Sequence, residues 1–207
     1  MLRVDGGALS REFFWAAHKV LAEDLVCGSP VFDGCENDKS ISNHDELLRT
    51  ENYVASAKFM LMSFMAIGVL SPGLSKPVFN YIIGSEEIVI PDPLDFPEYE
   101  DQIVARIIKN VKPGHHTTNE ELFLARAALE KIIGLPRGLL TPTTSAYYYR
   151  EFSDHMIINT RSQALNVIRD IMQPSSAGEY LRTHPESHMS VCPTLGPSES
   201  DGHPHRP

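Results

Sequence analysis

The chain has few basic residues and few cysteines. Eighteen Lys and Arg stand against 27 Asp and Glu in 207 residues, a net charge of −9. That balance argues against sequence-independent nucleic-acid binding, which rests on Lys and Arg at phosphates. It argues equally against a polybasic membrane-surface module. Cys27, Cys35 and Cys192 are sparse and odd in number, which fits free thiols in a reducing compartment rather than a disulfide framework. The longest apolar run, Phe59 to Leu70, falls short of the roughly 20 residues a bilayer span needs. The N-terminus lacks the apolar core of a signal peptide. These absences place the chain inside the cell, in the cytoplasm, with the nucleus as the other compartment open to it.

Chemical signatures are missing too. There is no Walker loop, GxSxG elbow or dinucleotide fingerprint, so no small-molecule cofactor is expected. No cysteine pair stands at zinc-finger spacing, and His115-His116 and His203-Pro204-His205 read as solvated loop histidines without a metal. Asp92, Asp95, Glu98, Glu100 and Asp101 form an acidic run with no fixed mutual geometry, which gives no hydrolytic carboxylate pair. No internal repeat is visible.

What remains is helical. Gly6-Gly7 make a tight turn, Ser10 stands where an N-cap belongs, and Glu12 falls in the first turn beside the positive end of the helix dipole. Phe13, Phe14, Ala17, Val20 and Leu21 supply an apolar face, predicting a helix from about Ser10 to Leu25 that ends near Gly28. A loop follows to Asn43, with Phe32 pinning it to the core. A second helix is expected from Ser42 or Asn43 to about Leu70. Its run from Phe59 to Leu70 is apolar on nearly every side, which predicts a central helix with Met62 and Phe64 in the core.

Ser71-Pro72-Gly73 stops that helix, and Lys76 to Ile83 reads as a short one with Pro77 in its first turn and Gly84 after its end. Pro97 would open a helix through about Val111, with Tyr99, Ile103, Ile107 and Ile108 on one face. Thr118 and Glu121 make a capping box ahead of the stripe Leu122, Ala125, Leu129, Ile132 and Ile133, which Gly134-Leu135-Pro136 ends. Tyr147-Tyr148-Tyr149 reads as a strand or as part of a recognition surface. Ser162 to Gln173 carries Ala164, Leu165, Ile168 and Met172 at helical spacing. From Pro174 the chain is rich in Pro, Ser and His without a period, which predicts disorder. Hydrophobic content of 42%, slightly under the globular average, fits a folded part with a polar tail. The expected organisation is one domain over 1–173 and a disordered tail over 174–207. The expected fold class is mainly α, with α+β possible.

The first turn and helix also resemble a known family. Asp5, Gly6, Gly7, Ser10, Arg11, Glu12 and Phe13 are similar to the start of the N-terminal lobe in HECT-type ubiquitin ligases. Phe32-Asp33-Gly34 resembles the Phe-bearing loop after that helix. Ala57-Lys58 and Ala66-Ile67 resemble features of the family's central helix, and the stretches 76–84 and 88–99 keep its succession. The match is clearest over 4–111. It implies an incomplete HECT N-lobe-like helical domain, a place among the ubiquitin-protein transferases, and a ubiquitin-conjugating enzyme and ubiquitin as partners. Asp5, Gly6, Gly7, Arg11, Glu12 and Phe13 would be structural motif residues, not catalytic ones.

Family chemistry needs a cysteine thiolate in a separate C-terminal lobe, which takes ubiquitin as a thioester and passes it to a lysine. Nothing here matches that lobe. Cys192 sits in the expected tail without an ordered basic partner to activate its thiol, and Cys27 and Cys35 flank a loop. No catalytic residue is therefore assigned. The expectation is a fragment lacking the thioester-forming lobe, which docks a conjugating enzyme. The alternative is a non-catalytic helical protein-interaction module.

Overall fold

The computed structural model describes residues 8–185 apart from 24, 27–28, 36–37, 71–72, 88 and 135–139. Among these residues the chain is mostly helical, as the apolar periodicities predict. The helices are α1 (Ala8–Glu23), α2 (Asp45–Arg49), α3 (Asn52–Ile67), α4 (Lys76–Ile83), α5 (Tyr99–Asn110), α6 (Asn119–Ile133), α7 (Ser145–Ser153), α8 (Ser162–Met172) and α9 (Ser176–Thr183). The expected loop between α1 and α2 is instead two small antiparallel hairpins. β1 (Leu25–Val26) pairs with β2 (Ser29–Pro30), and β3 (Phe32–Cys35) pairs with β4 (Asp38–Ile41), Phe32 facing Ile41. Phe32 is buried there, as expected of a residue that pins this segment.

The first helix starts before its expected boundary. Ala8 and Leu9, both good helix formers, carry the helix ahead of Ser10. Ser10 therefore lies inside α1 rather than at its cap, and the first turn holds no acidic residue, Glu12 included. Leu25 belongs to a strand, not to the end of the helix.

The second expected helix is two. Thr50 and Glu51 break it, with Glu51 at φ 55°, and Thr50 Oγ1 caps the end of α2 by donating to the Glu46 carbonyl at 2.7 Å. α3 is central but not enclosed. It buries Tyr53, Ser56, Ala57, Met60 and Ser63, while Met62 and Met65 face outward. α8 packs along the buried stripe, α1 meets α3 at Phe59 and Ser63, and α9 meets it at Phe64. Ser56, Ala57 and Ser63 are short enough to admit those neighbours. The expectation that Met62 is core is overturned.

α8 follows its expected pattern closely, with Ala164, Leu165, Ile168 and Met172 all fully buried against α3 and α4. Burying each of the larger three contributes about 1.5 to 3 kcal/mol. α6 carries the capping box read from the sequence: the Glu121 amide donates to Thr118 Oγ1 at 3.2 Å, and the Thr118 amide donates to the Glu121 carboxylate at 2.8 Å. Its C-cap Gly134 has φ 66°, a conformation that glycine adopts without penalty.

α5, α6 and α7 form a second group, on which the buried Phe96 packs, its ring centroid 5.6 Å from that of Phe152 on α7. The face of α5 differs from the expected one, because Tyr99 is exposed while Val104 and Ala105 join Ile107 and Ile108 inside. Tyr147 to Tyr149 form neither a strand nor a continuous surface. They lie on α7, where Tyr148 and Tyr149 turn inward and Tyr147 outward, and Tyr149 Oη donates to the Pro91 carbonyl at 2.7 Å.

The C-terminal boundary also moves. The expected disorder from Pro174 is contradicted over 176–183, where α9 packs on α4 and α3 with Leu181 fully buried. Ser175 caps the helix, its Oγ accepting from the Gly178 amide at 2.9 Å. A Cβ on Gly178 would come within 2.1 Å of the Met172 carbonyl oxygen, so this turn of α9 sits against the end of α8 as only glycine allows. The rest of the expected tail, 186–207, lies outside the described residues.

Candidate functional site

Three of the residues singled out by the sequence, Asp5, Gly6 and Gly7, lie outside the described residues. Arg11, Glu12 and Phe13 follow one another on α1 and all three side chains are exposed, Phe13 by 63%. The helix turns its other side to α3. There Phe14 meets Phe59 at 5.5 Å between ring centroids, and His18 meets the same ring edge-on at 4.9 Å.

His18 was not anticipated. It is 2% exposed, and its Nε2 lies 2.8 Å from Ser63 Oγ across the α1–α3 seam. Burial lowers its pKa from 6.5 to about 4, so the imidazole is neutral at physiological pH. A histidine beside a serine suggests nucleophilic catalysis, but the surroundings do not fit it. Ser63 is fully buried and, among the described residues, no carboxylate bonds to the ring, so the pair is a satisfied polar contact between helices.

On the outer side of the same helices apolar groups stand open. Met62 is 56% and Met65 68% exposed on α3, with Phe13 on α1 and Tyr180 on α9 also exposed. Phe64, Met65, Ser176, Ala177 and Tyr180 line a shallow recess, and the rings of Phe64 and Tyr180 lie 6.0 Å apart. Tyr180 is held in place by His184, stacked at 4.4 Å. Methionine and aromatic side chains that stay in water are a recurring feature of protein-binding surfaces. The methionines of the run 59–70 also fit a plastic binding groove, but sequence reasoning favours buried core for the whole run and so places this face inside. The signal that could have exposed it is the period of the small residues Ser56, Ala57 and Ser63, which marks the stripe that α1 and α8 cover.

The acidic run does acquire fixed geometry. Asp92 and Asp95 form a capping box over a 3-10 turn at Pro93–Asp95, and Lys109 Nζ lies 3.0 Å from Asp92 Oδ2. The hydrogen bond from Lys109 holds the Asp92 carboxyl below its ordinary range. Burial raises that of Asp101, and the nearby charge of Glu98 adds to the effect. Arg161, itself buried, faces Asp33, Glu98 and Asp101 from the connection between α7 and α8. Its Nη1 donates to the Met156 carbonyl and to Thr160 Oγ1, so it ties this connection together rather than presenting a charge to a ligand.

Among the described residues no group of three His, Cys, Asp or Glu could hold a metal ion. His115 and His116 are exposed, as expected. Cys35 ends β3, while Cys27 and Cys192 fall outside the described residues. No helix of the described residues is long and apolar enough to cross a membrane. The chain matches no protein-family model, no curated protein and no solved structure.

Proposed function

We propose that this chain is a HECT-like protein-interaction module of the ubiquitin system, which docks a ubiquitin-conjugating enzyme and forms no ubiquitin thioester of its own. The observation that carries the docking reading is the pair of exposed methionines on α3, Met62 and Met65, with Phe64, Met65 and Tyr180 lining a shallow recess beside α9. The link to the ubiquitin system rests on the resemblance of 4–111, and the succession α1, Phe-bearing hairpin, α3 and α4 supports it. Transfer requires an activated thiolate held close to the donor thioester. None of Cys27, Cys35 and Cys192 stands beside a motif that would activate it.

The test uses the whole chain, a panel of conjugating enzymes, ubiquitin, activating enzyme and ATP. At least one conjugating enzyme should bind, and Met62→Asp combined with Met65→Asp should weaken it by about tenfold or more, since each substitution puts a charge into a desolvated contact. No reducible ubiquitin adduct should form on the chain. An adduct lost on Cys192→Ser would make the chain a ligase by itself and overturn the proposal. Absence of binding across the panel would overturn the docking half.

A further inference from the structure

The methionines fall into distinct environments. Met60 on α3 and Met172 on α8 are fully buried, and Met156 is partly buried against the core. Met62 and Met65 are 56% and 68% exposed, and their spacing of three residues puts both on one face of α3. Met1 and Met189 lie outside the described residues. Oxidation of a thioether requires the oxidant to reach the sulfur and water to solvate the polar product, so packing shields Met60 and Met172 and leaves Met62 and Met65 open.

Met65 also belongs to the recess between α3 and α9, which it lines with Phe64, Ser176, Ala177 and Tyr180. The Tyr180 ring, stacked on His184, stands beside that of Phe64. A strongly polar oxygen placed on Met65 therefore enters a surface built mainly from apolar and aromatic groups.

We propose that Met62 and Met65 are a reversible oxidation site, through which hydrogen peroxide closes this face to apolar partners without unfolding the chain. At each residue a sulfur lone pair attacks one peroxide oxygen, the O–O bond breaks and an S–O bond forms. The hydroxide released takes the proton of the transferred hydroxyl and leaves as water, so sulfur loses two electrons and the peroxide gains them. The sulfoxide is polar and chiral, and a partner laid over it must strip the water from its oxygen. Repair consumes thiols: a methionine sulfoxide reductase removes the oxygen as water while two thiols join as a disulfide, one enzyme serving each sulfoxide epimer. Because both side chains already stand in water, α3 keeps its buried stripe through the cycle. The effect on a conjugating enzyme rests on the function proposed above, whereas the oxidation site does not.

The experiment treats the full chain with hydrogen peroxide and then restores its thiols with dithiothreitol. Peptide mass spectrometry follows each methionine, circular dichroism the melting temperature, and anilinonaphthalene sulfonate fluorescence the apolar face. Met62 and Met65 should oxidise at least about tenfold faster than Met60 and Met172. The oxidised chain should melt within about 2 °C of the untreated one, lose about half or more of its dye fluorescence, and bind a conjugating enzyme about tenfold more weakly. Reductases for both epimers, supplied with a dithiol, should restore the dye signal. Met62→Leu combined with Met65→Leu keeps an apolar face without a thioether, and its dye fluorescence should survive peroxide. Oxidation of Met60 and Met172 as fast as Met62 and Met65 would overturn the proposal, as would a lowered melting temperature. So would a parent that binds no dye or keeps its dye signal after oxidation, or an equal loss in the leucine variant. An untreated chain that binds the dye but no conjugating enzyme would overturn the docking reading alone, and the dye and mass spectra would still decide the oxidation site.

Discussion

Acidification should unlatch α1 from α3 through one residue, His18. In the folded chain its pKa falls from 6.5 to about 4, because burial penalises the imidazolium. A base with a depressed folded pKa contributes stability that is complete above its unfolded value and is lost as pH drops through its folded value. The window is therefore from pH 6.5 down to about 4. At about 1.4 kcal/mol per unit, the loss accumulated across it is about 2 to 3 kcal/mol, a large share of a typical total of 5–15. The protonated ring can still donate to Ser63 Oγ, but this replaces one hydrogen bond by another and does not offset the charge.

Other groups also titrate over this range, so the measurement is a difference. Urea unfolding of the parent and of His18→Gln at about pH 7 and about pH 4.5 separates the contribution of His18 from theirs. Gln keeps a polar group near Ser63 but cannot take a proton. The parent should lose about 2 to 3 kcal/mol more than the variant between the two pH values. An equal loss in both would show that His18 is solvated or paired, and would remove the argument for a neutral buried seam.

Met62→Asp should leave thermal melting almost unchanged, because the side chain already stands in water, whereas Met60→Asp should unfold the domain, since an unpaired buried carboxylate costs several kcal/mol. Similar melting for the two variants would show that the faces of α3 have been misassigned. Leu181→Ala should cost about 2 to 5 kcal/mol in chemical denaturation, as expected of a fully buried leucine. A cost under about 0.5 kcal/mol would mean that α9 does not belong to the core.

How much of this was legible depended on whether the deciding physics was local. Thr118 and Glu121 satisfy each other within one turn, and the sequence alone shows them as a box. α8 alternates buried and solvated positions cleanly, so its period named Ala164, Leu165, Ile168 and Met172 correctly. α3 offered no such contrast. When nearly every residue from Phe59 to Leu70 is apolar, composition says that the helix is sticky but gives no direction, and the neighbours choose the buried stripe. The three tyrosines misled through their strand preference, which the helical packing of α7 overrode. α9 escaped notice because its three buried residues, Ala177, Gly178 and Leu181, include only one large apolar side chain and make no visible stripe. His18 and Arg161 acquire their roles from partners 45 and 5 residues away, and no single-chain pattern marks such pairings.

The open face of α3 depends on the polar contacts hidden behind it. A methionine ridge on a loosely held helix would collapse inward, because exposed Met62 and Met65 gain by burial. Two buried polar anchors oppose that rotation. On the α1 side, His18 and Ser63 are matched at 2.8 Å, and turning α3 would leave both unpaired. At the start of the helix, Tyr53 Oη donates to the Ser42 carbonyl at 2.6 Å and accepts from the His44 amide at 3.3 Å, which fixes α3 against the strand end of the second hairpin. Breaking either contact strands buried polar atoms at about 1 to 3 kcal/mol each, more than the fraction of a methionine that rotation would newly cover. The serines and histidine inside an otherwise apolar seam thus keep the apolar ridge outside, where a partner can reach it.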